Sequence, residues 1–373
     1  MRVCDAMLPR FALDFGIGVD RAAVLITGFS IAYGLMLVVY GPLGDRVGKL
    51  RLVVVCGVLS SLWAAACALA PSFSALAVAR VLAGGTAAGV IPLAMAWIGD
   101  AVPFARRQPV MAWFILGQIL GVGSGQLVGG VAADTFGWRG AFAGIAVWFA
   151  VASALLFALS RKRAVPEAAH AGNTGWLAGL RTVLGARWAR IVTLTGFVEG
   201  AAVYAALAFA ALHFHRNLGV SLTQAGAMAM GFGAGGLLYV GFSRRVVARL
   251  GEVVVSRLGG AFMGLGFIAA AFAGSATWGF VAMLAAGIGY YLLHTTLQLQ
   301  ASQMTPSNRG AAIGVFATAF FFGQAVGVAV AGSLVERTGT VPVLVACGAI
   351  IVVLGLAFAR AGAGMMARAS TAA

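Results

Sequence analysis

Gly41-Pro42-Leu43-Gly44-Asp45-Arg46-Val47-Gly48-Lys49-Leu50-Arg51 is the stretch on which the fold turns. Apolar runs flank it on both sides, Ala22–Leu43 and Leu52–Ala70. A helix crosses a bilayer with roughly 20 consecutive apolar residues, so both runs are long enough. Between them stands a Gly-Pro pair followed by interleaved acids and bases, which predicts a tight polar loop joining two spans. Gly41 and Pro42 are expected to end the first helix, and Gly48 to allow the return.

The rest of the chain repeats this pattern. Of its 373 residues, 61% are hydrophobic and only 9% charged, where a soluble domain carries about a quarter charged residues. The expected fold class is therefore an all-α membrane protein. Apolar segments fall at 1–13, 22–43, 50–70, 73–100, 107–133, 138–160, 188–213, 222–243, 252–274, 277–301, 309–335 and 340–361. The first is too short to cross on its own.

The net charge of +15 does not indicate nucleic acid, because the bases are scattered over short loops and not gathered on one element. Eighteen Lys or Arg lie on the side of the Gly41–Arg51 loop, against five (Arg10, Arg21, Arg139, Arg216 and Arg337) on the other. Lys and Arg favour the cytoplasmic side, so the loop and both termini are expected there. Cys4, Cys56, Cys67 and Cys347 all lie inside apolar runs without metal-ligand spacing. They predict neither a metal site nor a disulfide framework. No HExxH, no GxSxG and no paired intramembrane aspartates occur, so no enzyme chemistry is expected.

The longest polar interval divides the spans six and six. The expected domains are an N-terminal half (1–160), a cytoplasmic linker (161–187), a C-terminal half (188–361) and a cytoplasmic tail (362–373). Trp176, Leu180, Leu184 and Trp188 recur every four residues. That spacing suits either a short interfacial helix or an early start to the seventh span.

The halves repeat. Phe11–Gly16 matches Phe214–Gly219 at an offset of 203 residues. The same offset carries Arg46-Val47-Gly48 onto Arg249-Leu250-Gly251, and Pro103 with Arg106 onto Pro306 with Arg309. Parallel six-helix repeats are a transporter architecture, with the substrate path between the halves. The seventh span starts near Trp188, so the offset places the start of the first span upstream of Met1. About fifteen residues of that helix, at ~1.5 Å each, are expected to be missing from this sequence.

Charged groups inside spans are costly and functional by default. Asp5 and Arg80 lie at similar depths, roughly 12 Å by helix rise, and are expected to pair and line the cavity. Glu199 falls near the middle of its span with no base within a turn, which suits a proton carrier or a cationic substrate. Tyr290, Tyr291, His294, Gln298 and Gln300 make the tenth span unusually polar, for substrate contact or helix packing alike. Gly117, Gly121, Gly125 and Gly129 share one helix face at a spacing of four, which lets a partner helix approach closely. Gly323, Gly327 and Ala331 partly echo them.

Together these features resemble the major facilitator superfamily over essentially the whole chain. Its loop signature G-x-L-x-D-R-x-G-R/K-x-R/K is met by Gly41, Leu43, Gly44, Asp45, Arg46, Gly48, Lys49 and Arg51. Its fourth-helix pattern R-x-x-q-G is met by Arg80 and Gly84, with Ala83 in the glutamine position. Asp5-Ala6-Met7-Leu8-Pro9 is similar to the D-M-Y-L-P end of helix one in twelve-helix drug:proton antiporters. The fifth-helix antiporter signature G-x-x-x-G-P-x-x-G-G is met by Gly121, Gly125, Gly129 and Gly130, with Gln126 in place of the proline. The second-half copy of the loop has Ala248 in the aspartate position.

The resemblance implies a twelve-helix fold of two six-helix halves in the bacterial inner membrane. It implies proton antiport of a small amphipathic or sugar-like solute by alternating access. The alternatives are a proton-coupled importer and a non-transporting sensor on a transporter fold. Asp5, Arg80 and Glu199 are the expected coupling residues. Tyr33, Gln118, Gln126, Tyr204, Tyr290, His294 and Gln298 are the expected cavity residues. Asp45 with its loop is the expected latch, pairing across the seam between the halves. The expected partners are the solute, protons and the lipid bilayer. The chain is expected to be monomeric and to use no cofactor beyond the proton gradient.

Overall fold

The signature stretch folds more tightly than its sequence suggests. In the computed structural model, which describes residues 2–162, 183–305 and 309–371, one helix runs on through Gly41 and Pro42 as far as Val47. The chain then reverses at Gly48, whose φ of +103° suits glycine, and the next helix starts at Lys49. The expected helix end at Gly41-Pro42 is thus corrected. Pro42 removes a single backbone donor, which a membrane helix tolerates when neighbouring groups compensate.

The first six apolar segments fold as α1 (Val3–Phe15), α2 (Val19–Ala22), α3 (Val24–Val47), α4 (Lys49–Ala68), α5 (Phe73–Ala87), α6 (Val90–Ala101), α7 (Phe104–Asp134) and α8 (Gly137–Lys162). After residues 163–182 come α9 (Arg187–Leu218), α10 (Leu222–Ala271), α11 (Ala276–Gln303), α12 (Arg309–Thr338) and α13 (Thr340–Thr371). The Trp176–Leu180 part of the interfacial pattern lies outside the described residues. Eleven stretches among the described residues are long and apolar enough to cross a membrane. α2 and α3 together form one of them, Val19–Val47.

Two interruptions were not expected. The fourth span breaks at Ala88–Gly89, where Pro92 cannot donate to the Ala88 carbonyl one turn back. The eighth and ninth spans are joined as α10, bent at Gly251 (φ +70°).

α3 packs on α12 and α7 on α10, forming the seam between the first and second sets of spans; α1 lies beside both α7 and α9. The hydrogen bonds and ring contacts across the α3–α12 pair run from mid-bundle towards the end that carries Gly18. They include Gln324 Nε2 to Ser30 Oγ at 2.6 Å, Thr318 to the Gly34 carbonyl at 3.3 Å, and Tyr33 against Phe321 at 4.3 Å between ring centroids.

The glycine ridge of α7 serves two neighbours. Gly125 and Gly129 meet α1 within the same half, and a Cβ on Gly129 would lie 2.2 Å from the Val3 carbonyl oxygen. Gly117 and Gly121 have nothing within 4 Å. The seam itself is made by Gly123 and Gly130, where added Cβ atoms would lie 3.3 Å from the Gly233 Cα and 2.2 Å from the Leu222 carbonyl oxygen. Gly226 of α10 sits as closely against the Gln126 carbonyl, at 2.5 Å from its added Cβ. Gly323 and Gly327 likewise pack inside their own half, on Phe197 and Ala201 of α9.

The strict four-residue spacing therefore marks intra-half packing. A seven-residue pair, two turns apart on another face, marks the contact with α10 across the seam. Gly129→Ala is expected to destabilise the protein by about 1–3 kcal/mol through overpacking, and Gly121→Ala to leave it unchanged. Thermal unfolding in detergent separates the two.

Candidate functional site

At the centre of the bundle, polar side chains from both halves form a connected row. Asp5 of α1 is fully buried. Its Oδ2 accepts from Arg2 Nη1 at 2.8 Å and from Gln126 Nε2 at 2.9 Å. Arg2 and Asp5, three residues apart, share a helix face. Pro9, one turn on, leaves the Asp5 carbonyl without its helical donor, which adds a polar group at the same place. Gln126 comes from α7, at the point where its backbone touches Gly226 across the seam. The glutamine that departs from the antiporter signature is thus the residue that holds Asp5.

The Arg2 guanidinium lies 4.1 Å from the ring centroid of Tyr204 on α9. Tyr204 and Tyr290 are in hydroxyl contact, and the Tyr290 ring stacks on His294 at 4.8 Å. His294 Nδ1 lies 2.8 Å from Glu199 Oε2, and Glu199 is fully buried. Phe316 and Phe320 of α12 close over His294, at 6.0 and 4.7 Å. Tyr33, from the first half, is buried beside Tyr204. An acid in each half is thereby joined through a cation, two tyrosines and a histidine.

The structure corrects two expectations. Asp5 does not pair with Arg80. The Arg80 side chain instead lies by Cys4, a step of about 100° round the helix from Asp5. There Arg80 Nε donates to the Leu25 carbonyl at 3.3 Å, and the guanidinium lies 4.3 Å from the Phe29 ring and 5.7 Å from that of Phe142. Gly84 explains the spacing of this motif. A Cβ there would lie 2.2 Å from the Phe29 carbonyl oxygen, so glycine admits the α3 backbone that supplies the partners of Arg80.

Glu199 is not unpartnered either. Its imidazole partner comes from α11, beyond what helix spacing on α9 can reveal. Arg2 was missed altogether, because it sits at the edge of a short apolar run.

Of the remaining cavity residues, Gln298 is exposed one turn beyond His294, towards the Asp45 end, and Gln118 is half-exposed on α7. Among the described residues neither is hydrogen-bonded to the buried row. Among the signature residues, Lys49 Nζ binds Asp45 at 3.2 Å and Asp100 at 2.5 Å. Asp45 thus pairs inside its own half in this conformation, and not across the seam. Gly44 admits Leu93 of α6, whose Cδ2 would lie 2.5 Å from an added Cβ, while Gly41 has nothing within 4 Å. Arg46 and Arg51 are exposed.

Four buried polar atoms of the row have no hydrogen-bond partner among the described residues: Arg2 Nη2, Asp5 Oδ1, Gln126 Oε1 and Glu199 Oε1. Buried polar groups are ordinarily paired, so these atoms have free capacity for a proton or for polar groups of a solute. Cavities of about 230 and 380 Å³ lie elsewhere. One is at the end of the second half, around Trp188 and Glu252; the other is at the seam, around Asp20 and Ser333.

Comparison with known proteins agrees with this architecture. The inner membrane transport protein YnfM of Escherichia coli is 28% identical over 164 residues, 44% of this chain and 38% of YnfM. The multidrug export protein EmrB of Haemophilus influenzae is 27% identical over 136 residues, 36% of this chain and 27% of EmrB. A probable actinorhodin transporter of Streptomyces coelicolor is 32% identical over 146 residues, 38% of this chain and 25% of that protein. The matched stretches thus span well under half the length of these relatives.

Among solved structures, the nucleoside transporter NupG superposes with a TM-score of 0.79 at 14% identity, covering 96% of this chain and 93% of NupG. The peptide transporter POT gives 0.75 at 17% identity, covering 98% and 92%. At these identities the likeness is one of fold. The family model of the Major Facilitator Superfamily matches residues 4–328, so the row of buried acids, cation and tyrosines lies at the heart of a chain that belongs to that superfamily.

Proposed function

We propose that this protein is a secondary active transporter that exports a small neutral or cationic amphipathic solute in exchange for protons. It would do so by alternating access in a bacterial inner membrane, as a monomer with both termini in the cytoplasm. The observation that carries the reading is the buried row, because it ties two carboxylates to the moving seam. Asp5 is held by Gln126, whose own backbone is a seam contact. Its counter-ion Arg2 rests on Tyr204 of the other half. Protonating Asp5 removes the charge that holds Arg2 and Gln126, so a proton bound there weakens contacts that span the halves.

Glu199 with His294 offers a second proton site, with the rings of Tyr290 and Phe320 packed against the imidazole. The aromatic faces suit an apolar or cationic body. Several relatives are named as multidrug export or resistance proteins, which supports export and a loosely specified solute.

The test uses purified protein in lipid vesicles with ethidium as the probe. Antiport predicts that an imposed pH gradient drives ethidium towards the acidic side and that dissipating the gradient stops it. Movement of ethidium away from the acidic side, with co-moving protons, would favour import. No gradient-dependent movement at all would reject transport of this probe class.

A further inference from the structure

We propose that Asp134 and Glu336 form a matched pair of latches that hold the Gly18 end of the bundle shut, each carboxylate capping the first turn of a helix in the opposite half. Asp134 terminates α7. Its Oδ1 accepts the Leu222 amide at 3.3 Å and its Oδ2 the Thr223 amide at 2.6 Å, both at the start of α10. The hydroxyls of Ser221 and Thr223 also lie beside it. Glu336 lies near the end of α12, and its Oε1 accepts the Val19 amide at 2.5 Å, at the start of the span Val19–Val47.

The two contacts are copies of one another. The 203-residue offset that relates the halves carries Val19 onto Leu222 and Asp134 onto Arg337, the neighbour of Glu336. Each is supported by a glycine four residues earlier on the carboxylate's own helix. Gly130 faces the Leu222 carbonyl, and Gly332 faces the Asp20 Cα, 3.2 Å from an added Cβ. Chance packing of side chains at one end of a bundle has no reason to obey the repeat.

The physics makes these contacts state-dependent. The first amides of a helix have no acceptor within it, and the helix dipole adds positive potential there. An ionised carboxylate is the strong acceptor for such a site. Ser221 already caps its own helix through the Gln224 amide, whereas Gly18 offers no side-chain cap. Both carboxylates, however, reach the other half only while the halves touch at this end. Parting the seam there exposes two sets of helix amides and two carboxylates at once, so closure of the Gly18 end is favoured by two charge-assisted caps acting together.

The proposal presupposes alternating access, but its test reads a distance and not a flux, so the two readings fail separately. Leu69 and Phe272 are both highly exposed at this end, at 80% and 66%, and are related by the same offset. Spin labels at Leu69→Cys and Phe272→Cys, with the four native cysteines replaced, report the separation by double electron–electron resonance. Loss of one cap costs about 1 kcal/mol, or about a fivefold change in population. Asp134→Ala and Glu336→Ala are therefore each expected to raise the long-distance population about fivefold, and together by about 25-fold if the sites add.

Asp134→Asn and Glu336→Gln keep an acceptor oxygen and are expected to fall between wild type and alanine. A double alanine variant with the wild-type distance distribution overturns the proposal. So does a double variant no more open than either single one, because paired latches must add.

Discussion

Asp5→Asn is expected to lower proton-driven transport by about a hundredfold while leaving solute exchange without a pH gradient near the wild-type rate. Asn keeps the size of the side chain and a hydrogen bond from Gln126 but cannot carry the charge that binds Arg2. Breaking one side of a buried ion pair costs about 3–5 kcal/mol, enough to bias a two-state equilibrium by two orders of magnitude or more. The variant is thereby locked into the behaviour of a protonated carrier. Flux assays in vesicles, with and without a pH gradient, check both halves of the expectation. Gln126→Pro, which restores the residue of the antiporter signature, removes one of the two donors to Asp5 and is expected to give a milder form of the same defect.

The second large effect is at Glu199 and His294. His294→Phe leaves the fully buried Glu199 carboxyl without its partner, and is expected to destabilise the protein by about 3 kcal/mol. Adding Glu199→Gln to that background is expected to recover most of the loss, because the orphaned acid is gone. Thermal unfolding of the two single variants and the double variant in detergent gives the coupling directly. An additive result would mean that the two side chains are neighbours without being partners.

Much of this molecule was legible before its structure. The twelve apolar segments, the reversal at Gly48 and the buried acids follow from hydropathy, glycine chemistry and the cost of charge in a bilayer. What the sequence hid were choices between partners. Arg80 and Arg2 are both near the first helix, and only the rotation of α1 decides that Asp5 meets Arg2 while Arg80 meets the aromatic face of Phe29. Glycines at a spacing of four on α7 read as one ridge, yet the helix is pressed between α1 and α10, and the face turned to the seam carries Gly123 and Gly130. The break at Ala88–Gly89 was signalled by Pro92, but length and hydropathy alone passed over it. Long-range pairs such as Glu199 with His294 have no local signature.

The central claim is that binding a proton to a buried acid is felt at the seam. The direct measurement is the spin-label distance between positions 69 and 272 as a function of pH, in wild type and in Asp5→Asn. In the present conformation Asp5 is ion-paired to Arg2, so protonation weakens this conformation relative to its alternatives. Lowering the pH is expected to move the wild-type population towards the long distance. Asp5→Asn is expected to show that longer distribution already at neutral pH, with a reduced response to acid. A wild-type distribution that ignores pH, or an Asp5→Asn variant that tracks wild type at every pH, would contradict it.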